Sequence, residues 1–135
     1  MHATATWQQD QQYDTESHSG HHVTIDGEAA HRAGASPMEH VLMALCACTS
    51  VDVVSILRKK REPLTSLKVS AEAEQAPEPP RVFTRIKLTY HIGGGVSAEA
   101  AERAVELSKN KYCSVSKMLE KTAALDYVIT YGDQS

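Results

Sequence analysis

The sequence predicts an α+β domain in which a long buried helix packs on antiparallel sheet, and three observations predict it. Short alternations of Thr, Tyr, Val and Ile open the chain and recur beyond residue 63, as half-buried strands require. Between them, a capped apolar run from Ser36 to the basic cluster at 58–61 reads as one long helix. No internal repeat or low-complexity tract interrupts the pattern, so helix on sheet is the simplest way to bury both apolar faces.

The strands come first. Alternating segments near 2–7, 12–18 and 22–26 are punctuated by Gly20, Gly27 and Gly34, and Asp26-Gly27 is a strong turn signal. Ser36-Pro37-Met38-Glu39 then supplies an N-cap serine, a proline suited to the first helical position, and a glutamate that completes a capping box. The helix that follows runs into Arg58-Lys59-Lys60-Arg61 and stops at Pro63, about 26 residues and roughly 39 Å. From Val41 to Cys48 it is apolar on every face, which suits the middle of a fold or a subunit interface. Thr49, Ser50, Asp52 and Ser55 break the run short of a membrane span. Residues 64–76 and 81–92 alternate with period two, the second placing Val82, Thr84, Ile86, Leu88, Tyr90 and Ile92 on one face. They read as an antiparallel pair joined by a stiff Pro77-Glu78-Pro79-Pro80 connection, with Gly93-Gly94-Gly95 as the closing turn. Ser97 caps a helix over 98–110, a break follows at Tyr112-Cys113-Ser114, a short helix covers 115–123, and Asp126–Tyr131 forms a last strand before a polar tail.

Composition bounds the function. The 135 residues, 41% hydrophobic and 23% charged, describe one soluble globular domain, 1–135, and exclude disorder and collagen. A formal net charge of -3 offers no surplus of cations for phosphates, so neither nucleic acid nor an anionic membrane is the expected partner. A small molecule or a second copy is. Aromatics make up only 5%, so the core rests on aliphatic residues, and a second subunit would complete some of the apolar surface. The three cysteines are too few, and odd in number, for a secreted disulfide framework. The N-terminus lacks the basic and apolar regions of a signal peptide, and cytoplasmic localisation is expected.

Chemistry centres on those thiols. Cys113 stands at a helix start, where backbone N–H groups stabilise a thiolate and Lys111 would add to the effect, so a lowered pKa is expected. Cys48 lies within the long helix with Asp52 four residues on, on the same face; a carboxylate there raises a thiol's pKa unless a cation neutralises it. A buried free cysteine is ordinarily a small hydrophobe, the role assigned to Cys46, which projects roughly 200° around the helix from Cys48.

Gly34-Ala35-Ser36-Pro37-Met38-Glu39, followed eleven residues after the proline by Cys48, and then Tyr112-Cys113-Ser114-Val115-Ser116, resemble the OsmC/Ohr family of osmotically inducible and organic hydroperoxide resistance proteins. The resemblance extends over nearly the whole chain, including the Phe83–Leu88 strand and the helix leading to the second cysteine, and is to a divergent OsmC-like subgroup. It implies an intertwined α+β homodimer, with antiparallel sheets around a long central helix and active sites at the subunit interface. It also implies thiol-dependent reduction of organic hydroperoxides in oxidative stress defence, with Cys48 peroxidatic and Cys113 resolving. An external, lipoyl-type dithiol would restore both, and no cofactor or metal is implied. Val41, Leu45, Tyr112 and Met118 are the expected apolar lining, and Asp52 a tuning residue. The pattern also departs from the family. Family peroxidases carry a glutamate directly after the motif's proline, where this chain has Met38, and no arginine precedes Arg32 to supply the usual activating cation. Arg32, Arg81 or Arg85, entering from another strand or from the partner subunit, are the candidates to replace it. Two alternatives therefore accompany the cysteine peroxidase: a non-enzymatic protein binding a small apolar or thiol-reactive ligand at the dimer interface, and a thiol redox sensor.

Other features read plainly. His21 and His22 are adjacent on a strand and face opposite ways, so with His18 they make no expected metal site. The basic run 58–61 complements a helix dipole, and Gly93-Gly94-Gly95 lacks the lysine and the strand-to-helix setting of a phosphate loop.

Overall fold

The computed structural model describes residues 1–132. They form two compact units, Met1–Met43 and the chain from Ala44 onward, which are taken in turn.

In the first unit, β1 (Ala3–Gln9), β2 (Gln12–Ser17) and β3 (His22–Asp26) make an antiparallel sheet in the order β1-β2-β3. Its strand limits fall within two residues of those expected from alternation. Asp26-Gly27 opens a loop toward the helix rather than turning into another strand. The fully buried Asp26 carboxylate organises that loop by accepting from the Glu28 N–H (2.9 Å) and the Ala33 N–H (3.1 Å). Those two bonds hold its pKa below the ordinary carboxylate range.

The long helix α1 spans Pro37–Lys59 and begins with the capping box in full. Glu39 N–H donates to Ser36 Oγ (3.2 Å), and Ser36 N–H donates to Glu39 Oε1 (2.9 Å). At the far end, Glu62 N–H bonds to the Leu57 carbonyl and Arg61 N–H to that of Arg58, with Arg61 at φ 57°. This left-handed cap stops the helix at 23 residues, before the proline is reached. Within one chain only the stripe Leu45, Thr49, Val53 and Leu57 of α1 is buried, while Met43 and Val51 are 55% and 68% exposed. A four-residue spacing makes one stripe, and a single chain supplies packing for one stripe only. Among the described residues α1 is long and apolar enough to cross a membrane. Thr49 and Asp52 on it, however, are hydrogen-bonded to other side chains of the second unit.

That unit carries β4 (Ser66–Gln75), β5 (Phe83–Gly93) and β6 (Ala124–Tyr131) in the order β4-β5-β6. β4 pairs with β5 antiparallel as expected, but β6 pairs with β5 in parallel, so this sheet is mixed rather than antiparallel. The cause lies in the connection. Between β5 and β6 run α2 (Ala98–Leu107), a π-helical turn (Ser108–Tyr112) and α3 (Ser114–Leu119), a crossover long enough to return the chain in the same direction. Ile86, Leu88, Tyr90 and Ile92 face inward as predicted, whereas Phe83 is buried in place of Val82 and Thr84. A β-bulge opposite Glu74 and Gln75 inserts one residue and reverses the alternation beyond it. At the end of β5, Gly94 sits at φ 106°, and a Cβ there would run into the Pro63 carbonyl oxygen. Ser97 caps α2, its Oγ accepting from Ala100 N–H. The expected helix 98–110 thus ends as α-helix at Leu107, and the helix expected over 115–123 is the shorter α3. The polar tail beyond Gly132 lies outside the described residues.

Candidate functional site

α1 and α3 together bring two of the three cysteines into one neighbourhood of the second unit. Cys48 is half-buried on α1, one residue before the buried stripe position Thr49. Cys113 is fully buried and is the N-cap of α3, its Sγ accepting from the Ser116 N–H at 3.4 Å. Cys48 is the neighbouring thiol that bears on its ionisation. Cys46 is half-buried, and burial alone pushes its thiol up.

The expected lowering of the Cys113 pKa is corrected. Burial is the largest influence and pushes the thiol up; hydrogen bonds from Ser116 oppose it, and Cys48 pushes it further up. Lys111 does not offset this: its Nζ lies 5.3 Å from the centroid of the Tyr112 ring. A six-residue helix with its first N–H groups on a sulfur does not outweigh full desolvation.

Asp52 meets neither a lysine nor an arginine within ion-pair distance among the described residues. Its Oδ2 accepts from Ser108 Oγ at 2.8 Å. Ser108 Oγ and Thr49 Oγ1 are 2.8 Å apart, and Thr49 Oγ1 and the Tyr90 hydroxyl are 2.8 Å apart. Three elements are thereby tied together by side-chain hydroxyls in the core: α1 through Thr49 and Asp52, β5 through Tyr90, and the π turn through Ser108. Ser108 also holds the second cysteine, since the Cys113 N–H donates to its carbonyl at 2.7 Å. Burial drives the Tyr90 phenol up to about 12; Cys113, Cys46 and Tyr127 push the same way, against the hydrogen bond with Thr49.

None of this chain was singled out from the sequence apart from Asp52. A usable signal was present: Thr49 and Asp52 lie three apart on an apolar helix, so they share a face and need polar partners there.

Leu45 is fully buried in the core, whereas Tyr112 and Met118 are 51% and 66% exposed. Val41 is half-buried in the first unit. Tyr112 and Asp52 share a surface cavity of about 430 Å³ with Ile56, Leu107, Lys59 and Lys60. Of the candidate cations, Arg85 is paired with Asp126 (3.3 Å) on the exposed side of the mixed sheet. In the first unit the His2 and His18 rings lie 4.3 Å apart, centroid to centroid. His21 Nδ1 bonds to Ser19, while His22 lies between Asp14 (3.1 Å) and Glu16 (3.5 Å).

Comparison with known proteins adds the lineage. The sequence profile of the OsmC-like protein family matches residues 26–127. Protein YhfA of Escherichia coli K12 is 42% identical over 128 residues, covering 94% of this chain and 95% of that protein. Among solved structures, an OsmC-like protein from Mycoplasma pneumoniae superposes with a TM-score of 0.83 at 19% identity, covering 96% of this chain and 95% of the other. An organic hydroperoxide resistance protein from Elizabethkingia anophelis does so with a TM-score of 0.73 at 15% identity, covering 96% and 94%. At these identities the two structures establish the shared fold.

Proposed function

The chain belongs to the OsmC-like family, and on that footing we propose that it reduces organic hydroperoxides through a Cys48–Cys113 couple. The observation that carries the reading is the pairing of a half-buried thiol on α1 with a buried one at the start of α3. The Cys48 thiolate attacks the terminal oxygen of the hydroperoxide, the O–O bond breaks, and the alkoxide takes a proton and leaves as the alcohol. Cys48 is oxidised to a sulfenic acid. Cys113 then attacks that sulfur, a disulfide forms, and the hydroxyl departs as water with the Cys113 proton. A lipoyl-type dithiol reduces the disulfide and is itself oxidised to a cyclic disulfide. The unequal burial of the two sulfurs suits this order, the accessible one meeting the peroxide and the enclosed one meeting the sulfenic acid.

The reading includes the whole chain, 1–135, acting as one OsmC-like domain in an intertwined homodimer, in which a partner covers the exposed apolar side of α1. Val41, Leu45, Tyr112 and Met118 remain its proposed substrate lining and Asp52 its tuning residue. A reducing, cytoplasmic setting is proposed, because the proposed cycle starts from Cys48 and Cys113 as free thiols. Met38 in place of the family glutamate, and Arg85 engaged by Asp126, favour a second reading in which the thiols sense oxidation stoichiometrically or the site binds a ligand without turnover.

Cumene hydroperoxide consumption with dihydrolipoamide separates them. The peroxidase reading expects sustained turnover that falls to background in Cys48→Ser and loses dithiol-dependent recycling in Cys113→Ser. A single stoichiometric burst in the unaltered protein would identify the sensor, and no consumption the binding protein.

A further inference from the structure

In the antiparallel pairing of β1 with β2, Ala3 stands opposite Ser17, and continuing that register by one position puts His2 opposite His18 on one face of the sheet. Their imidazole rings lie 4.3 Å apart, centroid to centroid, with the planes tilted by 54°. Both residues are exposed and line one surface hollow of about 750 Å³, which Ser17 and Ser19 also line. Hydrogen bonds occupy the rings of His21, His22, His31 and His91. None occupies those of His2 and His18 among the described residues, so each neutral ring has a nitrogen lone pair to give.

Two neighbouring imidazoles with bare nitrogens suit a late first-row transition metal. Nitrogens about 2.0–2.1 Å from a shared ion put the two ring centres about 4.5 Å apart when they meet it at a right angle, and about 5 Å apart at a tetrahedral angle. The separation of 4.3 Å fits the right angle, which belongs to square-planar and octahedral coordination rather than to tetrahedral zinc. We infer that His2 and His18 form a divalent-metal site of the Ni²⁺ or Cu²⁺ class, each ring giving one nitrogen to adjacent coordination positions. No third side chain of ligand type joins them among the described residues, so water from the open hollow fills the other positions. His22 offers no equivalent site. Its Nδ1 faces Asp14 at 3.1 Å and its Nε2 faces Glu16 at 3.5 Å, and because the two lone pairs diverge, one ion cannot serve both pairs. The inference concerns the first unit alone and does not rest on the peroxidase reading.

The test is a Ni²⁺ titration of the reduced full-length protein, followed by NMR of the histidine ring ¹H–¹³Cε1 signals, with calorimetry for affinity. Octahedral Ni²⁺ is paramagnetic and broadens the signals of the rings that bind it. The His2 and His18 signals are expected to broaden together at the first additions, ahead of those of His22, His31 and His40. His2→Gln and His18→Gln are each expected to weaken binding at this pair by about tenfold or more, since even an outer-shell partner of a metal ligand is worth roughly 10- to 100-fold. His22→Gln is expected to leave binding at the pair unchanged. Both ligand residues are exposed, so their variants keep the fold, as far-ultraviolet circular dichroism checks. Broadening centred on His22, or broadening of His2 that persists in His18→Gln at the same Ni²⁺ concentration, would overturn the inference. Capture of Ni²⁺ by the cysteine thiols alone would leave both rings sharp and count against it equally.

Discussion

Tyr90 shows how a residue's surroundings set its energetics. Its phenol is buried and pushed from 10.0 up to about 12, so the folded state retains a proton that the unfolded chain releases. Stability from this group is complete below about pH 10 and is lost as pH rises toward about 12, because between those values the unfolded state binds fewer protons. Two units correspond to roughly 2–3 kcal/mol. Tyr90→Phe is accordingly expected to unfold with a shallower loss of stability between pH 10 and 12, as followed by urea denaturation at several pH values. An equally steep loss in the variant would assign the alkaline sensitivity to other groups. The cysteines were legible in the sequence because their spacing is tied to helix starts, but the ionisation of Cys113 was not. A helix terminus can be read from a string of residues, whereas the complete burial that outweighs it depends on strands and helices far away in the chain.

Elements were legible where a local side-chain device defines them. Ser36 and Glu39 cap α1 as the sequence implies, and Ser97 caps α2, because a cap is settled within four residues. Ser36→Ala is expected to cost about 1 kcal/mol in thermal or chemical denaturation. Glu39→Gln, which can still accept from the Ser36 N–H, should cost less; a greater loss in Glu39→Gln than in Ser36→Ala would mean that Glu39 has a role beyond the cap. Where an element's geometry depends on a partner, alternation was insufficient. The bulge that buries Phe83 exists only as a mismatch between β4 and β5, and period two carries no information on strand direction, so the parallel pairing of β6 was invisible. The π turn is similar: it is wound where Ser108 must serve both Thr49 and Cys113.

At the scale of the whole molecule, the apolar surface of α1 that one chain leaves uncovered carries the account of assembly. Val51 is 68% exposed on a helix whose other side is packed. Sedimentation of the protein is expected to give about twice the 14.7 kDa of one chain. Val51→Glu, harmless to an isolated chain, is expected to shift that mass toward the monomer; a monomeric parent protein would remove the homodimer from the account. The family was legible from motifs spread along most of the chain, since Pro37, Cys48 and Cys113 stand at the starts and inside of the helices that define the fold. Whether any side chains stand in for the family glutamate and arginine was not legible, because that depends on which side chains the fold brings to the sulfurs. The most direct test of the central claim is to treat the reduced protein with one equivalent of cumene hydroperoxide and map its cysteines by peptide mass. The account predicts loss of two hydrogens and a Cys48–Cys113 disulfide, with Cys46 left free. A stable sulfenic or sulfinic acid on Cys48 with Cys113 still reduced, or three untouched thiols, would contradict it.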